Sequence, residues 1–523
     1  MNRYHLVALI GLALMGDASA APRPNFVFIM SDDHAYQAVS AYGHGLNETP
    51  QIDRLASEGI RFDRCYVANS ICGPSRACLL TGKHSHANGV LDNFTEFDGA
   101  QWTFPKSLRQ AGYQTAIIGK WHLKSDPTGF DHWDILPGQG KYYRPDFRTA
   151  EGLRAIDGYV THVTTDLAIE WLEGAAGPGG PGRAEDKPFL LILNQKAPHR
   201  PWDPAPEHLE TFAGRTIAEP ATLLDDYATR TTAPRTAEMR IADHMRVDRD
   251  VKAWARDSNH REWLYKHMSD EDRAAWERVI DRRAEELAAA NLQGADRTRW
   301  IWRHYMEDYL ACIASVDEGV GRVLDWLDAA DLNDNTVVVY TSDQGFYLGE
   351  HGWFDKRFMY EQSLRTPMVL RWPAGVASPG RSETRIVSNL DFAPTFLELA
   401  GAEADPTLHG ESMVPLLTDP SGDGPSTPGR DIFYYHYHEG PTRDHAVERH
   451  DGVTDGTHKL ICFYDLGEWE LYDLSTDPDE MLNRYEDPAY QSERERLTQR
   501  LLSERNRLGV VVPQTVPTEQ PAL

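Results

Sequence analysis

The sequence predicts an α/β fold: a large, mostly parallel mixed sheet flanked by helices, followed by a smaller α+β domain on an antiparallel sheet. Three observations predict it. Short, wholly apolar runs alternate with helical patterns through the first three quarters of the chain, as strands covered on both faces require. Several of these runs stop at a polar cluster, and α/β sheets bind their ligands at the carboxyl ends of strands. Beyond about residue 425 the runs turn short and alternating, the pattern of an antiparallel sheet with one covered face.

Residues 25–30 form the first strand, which stops at Ser31-Asp32-Asp33. Thr49 as N-cap and Pro50 in the first turn predict a helix that Gly59 ends. Residues 60–67 read as a strand, 105–111 as a helix closed by Gly112, and 113–119 as the next strand. Residues 161–172 are helical, and the Gly/Pro run 174–182 is a surface loop. Runs 189–194, 336–341 and 368–372 complete the buried strands. Residues 215–300 are dense in charge and Trp without a strand candidate, and read as a helical insertion leading into a helix over 306–327. After a Pro/Gly-rich linker at 420–429, residues 432–438, 459–464 and 468–472 are strands and 490–508 a polar helix. The expected division is a signal peptide over 1–20, a main domain over 21–424 and a C-terminal α+β subdomain over 425–523.

At 523 residues the chain exceeds the ~250–300 over which one core grows, and 41% hydrophobic residues fill a large interior. Lys+Arg 53 against Asp+Glu 80 gives a net charge of -27, which argues against nucleic acid as a partner. An anionic small substrate stays open, because the field of one pocket is separate from net charge. Arg3, the apolar run 6–15 and Ala18-Ser19-Ala20 read as a cleaved secretory signal with Ala21 as mature start. That run is too short to span a bilayer and no later stretch approaches a span, so the protein is expected to be exported, periplasmic or secreted. The five cysteines, Cys65, Cys72, Cys78, Cys312 and Cys462, are too few for a disulfide scaffold and include no Cys-x-x-Cys metal pair. Their odd number leaves one thiol to explain. Cys65 and Cys78 flank Cys72, and the sequence leaves open whether they pair.

Four strand ends carry chemistry. They offer Asp32-Asp33, Gly119-Lys120-Trp121-His122, Asn194-Gln195-Lys196-Ala197-Pro198-His199 and Ser342-Asp343-Gln344-Gly345. Any one of these groups alone is more often a loop polar residue or a helix cap. Together, three carboxylates and an amide form a hard-oxygen set suited to Ca²⁺ or Mg²⁺ rather than zinc. The neighbouring lysines and histidines suit an anionic substrate and proton transfer, which points to hydrolysis of a charged ester.

The stretch Ser70-Ile71-Cys72-Gly73-Pro74-Ser75-Arg76-Ala77, continuing to Leu79-Leu80-Thr81-Gly82-Lys83, resembles the type I, formylglycine-dependent sulfatases of the alkaline-phosphatase superfamily. Their signature is Cys-x-Pro-Ser-Arg followed by Leu-Thr-Gly. The strand-end motifs and Asp355-Lys356-Arg357 follow in the family's order, and the resemblance spans about residues 24–480. It implies an alkaline-phosphatase-like fold. It implies that a formylglycine-generating or anaerobic sulfatase-maturating enzyme oxidises Cys72 to Cα-formylglycine, which accounts for the odd thiol. One hydroxyl of the hydrated aldehyde then attacks sulfur, and the second helps to eliminate sulfate. Carried over residue by residue, Asp32, Asp33, Asp343 and Gln344 hold Ca²⁺ beside the converted Cys72. The family more often has Asn or His at the position of Gln344, whose amide oxygen can fill the same role. Arg76 and Lys120 stabilise the alkoxide, His122 takes a proton, and His199 and Lys356 bind sulfate and protonate the leaving oxygen.

The segments 72–93, 119–143, 345–352 and 358–361 are similar to bacterial polysaccharide sulfatases and N-acetylglucosamine-6-sulfatases, which implies a sulfated oligo- or polysaccharide substrate. The insertion and the C-terminal domain are expected to set specificity, with Tyr142, Tyr143, Arg357 and His436 as candidate contacts. His34, His84, His86 and His351 either line the cleft or sit on nearby loops. Two other functions stay open: a phosphodiesterase or phosphonate monoester hydrolase of the same superfamily, and a non-catalytic binder of sulfated glycans.

Overall fold

The computed structural model describes residues 23–254, 258–419 and 430–512. The expected signal peptide and the linker at 420–429 lie outside the described residues. A ten-stranded mixed sheet forms the centre. Its strands are β1 (Asn25–Ser31), β2 (Ile60–Phe62), β3 (Gln114–Lys120), β4 (His132–Leu136), β5 (Asp146–Thr149), β6 (Gly152–Ala155), β7 (Phe189–Asn194), β8 (Thr336–Ser342), β9 (Met368–Arg371) and β10 (Arg381–Glu383). They lie in the order β10-β2-β9-β8-β1-β7-β3-β4-β5-β6. The middle of the sheet, β8-β1-β7-β3-β4, is parallel throughout. Ser31 stands opposite Ser342, and Asn194 opposite both Met30 and Gly119, so four strands end along one line.

Every residue of β1, β3, β7 and β8 is buried, which explains why these runs are apolar rather than alternating. Val27, Ile29, Val338 and Tyr340 pack on one face against the helices Pro50–Ser57, Val160–Leu172 and Gly294–Ala329. Phe26, Phe28, Val337 and Val339 pack on the other against the helices Cys72–Thr81, Phe104–Gln110 and Phe392–Ala400.

Several boundaries differ from expectation. The run 60–67 splits after β2 at Asp63-Arg64, and Cys65–Tyr66 joins a separate small sheet with Arg365–Thr366 and Val387–Ser388. The helix expected over 306–327 begins at Gly294. Between 215 and 300 the described residues form turns and the helices Thr232–Thr236, Asn259–Tyr265 and Asp270–Ala290, the last opening on a Ser269–Asp272 capping box. All five cysteines are buried and free, so Cys65 and Cys78 are not joined. Cys78 Sγ instead lies 3.6 Å from the Ser85 hydroxyl.

The C-terminal sheet is antiparallel, in the order β11 (Phe433–Tyr437), β12 (His450–Thr454), β13 (His458–Phe463) and β14 (Glu468–Asp473). The helix Gln491–Leu508 covers one face through Leu497 and Leu501. On the other face Tyr435, Phe463 and Tyr472 share a core with Tyr66, Trp353 and Phe358 of the main domain. Among the described residues no helix is long and apolar enough to cross a membrane.

Candidate active site

The line of strand ends gathers the reactive groups. β1 delivers Asp32 and Asp33, β3 ends on Lys120 and leads to His122, β7 leads to Lys196 and His199, and β8 leads to Asp343 and Gln344. Gly119 is obligatory here: its φ is +102°, and a Cβ would lie 1.9 Å from the Asn194 carbonyl oxygen. Cys72 opens the helix Cys72–Thr81, so its side chain sits at that helix's positive end. Arg76, one turn on, shares its face.

The groups interlock. Cys72 Sγ is 3.3 Å from Asp32 Oδ1. Arg76 donates Nε (3.1 Å) and Nη2 (2.8 Å) to Asp343 Oδ2, and Nη1 to the Lys120 carbonyl at 2.8 Å. Lys120 Nζ donates to Asp32 Oδ2 and to Gln139 Oε1. Lys356 Nζ donates to Asp33 Oδ1 (2.7 Å) and Oδ2 (2.9 Å). His199 donates Nδ1–H to the Arg200 carbonyl at 2.7 Å, which leaves Nε2 facing Asp33 at 3.7 Å. Gln139, Asn93 (which accepts the Gly73 N–H at 2.9 Å) and Tyr142 (which donates to the His199 carbonyl at 2.6 Å) are supports that sequence reasoning missed or misassigned. The only sequence signal for Gln139 is its place between two glycines.

Asp32, Asp33 and Asp343 each bring a carboxylate oxygen within 4.8 Å of the others. Gln344 donates Nε2 to Asp33 Oδ1 at 2.6 Å, and its Oε1 stays buried with no partner. Three anionic oxygens and one orphaned amide oxygen fit a hard divalent cation. Burial raises Asp33, opposed by Lys356 and reinforced by Asp32 and Asp355. Burial and Asp32 push Asp343 up to about 7. Asp32 goes the other way: Lys120, His199 and Arg76 overcome its burial and hold it well below the usual carboxylate range.

Burial and Asp32 push the Cys72 thiol up, so as a thiol it stays protonated and is a poor nucleophile. Burial, and then Lys120, hold His122 and His199 well below the usual imidazole value. Both are therefore neutral at pH 7 in the free protein.

Cys72 lies at the foot of a cleft of about 750 Å³, whose lining includes His199, Lys356 and Arg357. Glu238, Asp243, His244, Arg246 and Arg249, from the segment before the helix Asp270–Ala290, line its walls, as do Asp444 and His445 from the loop between β11 and β12. Six Lys or Arg side chains (Lys196, Arg200, Arg246, Arg249, Lys356, Arg357) face four carboxylates (Glu238, Asp243, Asp355, Asp444) there, the reverse of the chain's overall balance.

Other candidates fall outside the cleft. Tyr142 is buried, and Tyr143 is buried with its hydroxyl donating to the Pro204 carbonyl, so neither ring is open to a sugar. His436 is buried in β11 between Tyr434 and Tyr464. His34 bonds Tyr340 and is pushed down to about 3 by burial. His84 meets His409 at 3.1 Å, His86 meets the Leu508 carbonyl at 2.9 Å, and His351 lies 3.3 Å from Asp225.

Comparison with known proteins gives a consistent picture. The family profile described as Sulfatase matches residues 24–402, and N-sulphoglucosamine sulphohydrolase, C-terminal, matches residues 349–507. The chain is 46% identical over 511 residues to an N-acetylglucosamine-6-O-sulfatase of Bacteroides thetaiotaomicron, covering 94% of this chain and 89% of that one. It is 26% identical over 435 residues to the human N-acetylglucosamine-6-sulfatase, covering 78% and 66%. A solved structure holding its substrate D-glucosamine-2-N,6-O-disulfate superposes with a TM-score of 0.89 at 45% identity, covering 94% of this chain and 100% of that one.

Proposed function

The chain belongs to the sulfatase family and is a sulfuric ester hydrolase, and we propose that it removes the 6-O-sulfate of a glucosamine residue in a sulfated glycan, releasing inorganic sulfate. The observation that carries the reading is the setting of Cys72, a protonated thiol at a helix N-terminus, framed by Arg76, Lys120 and Lys356 at the foot of a cationic cleft. The glucosamine substrate rests on the relatives just described.

Converted to formylglycine, residue 72 would supply a hydrated aldehyde, one hydroxyl of which is the nucleophile toward sulfur. Asp32, Asp33, Asp343 and Gln344 would hold Ca²⁺, which supplies positive charge beside the sulfate oxygens. The remaining roles belong to the side chains themselves. Arg76 and Lys120 favour an anionic oxygen at position 72. His122, neutral, takes the proton of the second hydroxyl. Lys356 and His199 bind the sulfate. His199 must carry a proton to hand to the leaving oxygen, and the arriving anion opposes the burial and the lysine field that keep it neutral in the free protein. Arg357, pinned to Asp355 at the cleft wall, is a substrate contact.

Cys72 is wholly buried within a helix, which supports conversion by a formylglycine-generating or anaerobic maturating enzyme before the domain closes, on the way to export. The test is release of free sulfate from a defined panel. 6-Sulfated N-acetylglucosamine and 6-sulfated glucosamine should be cut. Isomers sulfated at other ring positions, aryl sulfates and phosphodiesters should be poor substrates. Preferential cleavage of a phosphodiester would overturn the reading.

A further inference from the structure

Of the six cations lining the cleft, four are neutralised: Arg200 by Asp250 (2.5 Å), Arg246 by Asp248 (2.6 Å), Lys356 by Asp33 (2.7 Å) and Arg357 by Asp355. Arg249 is exposed, as are the carboxylates Glu238 and Asp444. Lys196 is different. It is 1% exposed, it lines the cleft beside Cys72 and His199, and among the described residues its ammonium has no ion pair or hydrogen bond. Its one close partner is the face of Tyr142, 4.6 Å from Nζ to the ring centroid. A cation–π contact offsets only part of the cost of burying an unpaired ammonium. Burial, and then Lys120, push Lys196 down to about 8, so it is still largely cationic at pH 7. Asp32 and Asp203 attract it from beyond ion-pair distance, and a buried charge in a ligand cleft with no carboxylate in contact is completed by a ligand of opposite charge.

That ligand group is distinct from the sulfate being cut. The seat at Cys72 is served by Arg76, Lys120, Lys356 and His199, each within 4.0 Å of a carboxylate oxygen of the Asp32–Asp33–Asp343 frame. Lys196 pairs with none of these carboxylates and stands on Tyr142 instead, whose hydroxyl also holds the His199 backbone at 2.6 Å. We propose that Lys196 binds a second oxyanion of the substrate, an N-sulfate or a carboxylate beside the 6-sulfate. Tyr142 fixes Lys196 and His199 as one unit, so the second anion helps to register the first against the catalytic groups. The inference rests on the sulfated-glucosamine reading above and deepens it.

The test uses Lys196→Met and Lys196→Arg in the full chain. Turnover is measured on D-glucosamine-2-N,6-O-disulfate and on 6-sulfated N-acetylglucosamine, which lacks the second anion. Lys196→Met should lower kcat/KM for the disulfate about tenfold or more relative to the monosulfate, since a charge-assisted hydrogen bond is lost. Lys196→Arg should recover part of the difference. Methionine also removes an unpaired buried charge, so the melting temperature should hold or rise, which separates the effect from misfolding. Equal losses on both sugars, or none, would overturn the proposal. Calorimetric binding of glucosamine-2-N-sulfate and of N-acetylglucosamine to the wild type and to Lys196→Met probes the same contact without turnover. Tighter binding of the N-sulfated sugar by wild type alone supports Lys196 even if the 6-sulfatase reading fails. Equal binding by both proteins overturns Lys196 even if that reading stands.

Discussion

Lys356→Met separates the two jobs of one side chain. Lys356 is 3% exposed and donates to both oxygens of Asp33, at 2.7 and 2.9 Å. Asp33 is wholly buried beside Asp32 and Asp355, and both carboxylates already disfavour its charge. Removing one partner of a buried ion pair costs about 3–5 kcal/mol, because the other charge stays behind. For a domain this large that corresponds to a fall in melting temperature of roughly 3–5 °C in a chelator. Calcium should restore most of the fall, because Asp33 would then face a cation again. Turnover should not recover. The ammonium proposed to bind the sulfate is gone, and loss of one such donor costs about 10²–10³ in kcat. The assays are thermal melts with and without Ca²⁺, and sulfate release at saturating Ca²⁺. A variant within about tenfold of wild-type kcat would refute the catalytic role, and a melt equal to wild type in the chelator would refute the electrostatic argument.

Cys72→Ala should leave the melting temperature close to wild type and abolish turnover; substantial residual activity would contradict the mechanism. Gly119→Ala forces a Cβ to 1.9 Å from the Asn194 carbonyl oxygen at a φ of +102°, so it should destabilise the fold by about 2 kcal/mol or more and displace Lys120. A wild-type melt for that variant would show that the strand ends can move apart freely. Asp343 is pushed up to about 7, and its folded value is the raised one. Its contribution to the cation-free protein is therefore full below the unfolded value of 3.8 and lost as pH rises through about 7. The gain in melting temperature from added Ca²⁺ should accordingly be larger at pH 8 than at pH 6, and a pH-independent gain would contradict that assignment. Folded protein carrying an unconverted Cys72 should resist the maturating enzyme until it is unfolded, read as the fraction converted with and without denaturant.

The parts of the fold legible in the sequence are those where burial acts on every residue. Phe26–Met30 of β1 and Phe189–Leu193 of β7 are apolar because both faces are covered, and most of each strand's extent follows from that. β12, His450–Thr454, escapes a sequence reading because it carries His450, Asp451 and Gly452, whose burial depends on Arg505 and other distant partners. The carboxylates and lysines of the site are legible because strand ends converge by topology, so position along the chain translates into position in space. Tyr142 and Tyr143 look like sugar contacts from composition and proximity, yet the loop after β4 turns both rings inward. Gln139 and Asn93 carry no local pattern; their roles arise only when the chain folds back to place them on Lys120 and Gly73.

The most direct test of the proposed chemistry is the mass of the peptide carrying residue 72 in natively produced, active enzyme. The expected species is lighter by the difference between a –CH₂SH and a –CHO side chain, in proportion to specific activity across preparations. Full activity from a preparation in which residue 72 is entirely a thiol would contradict a formylglycine nucleophile at that position.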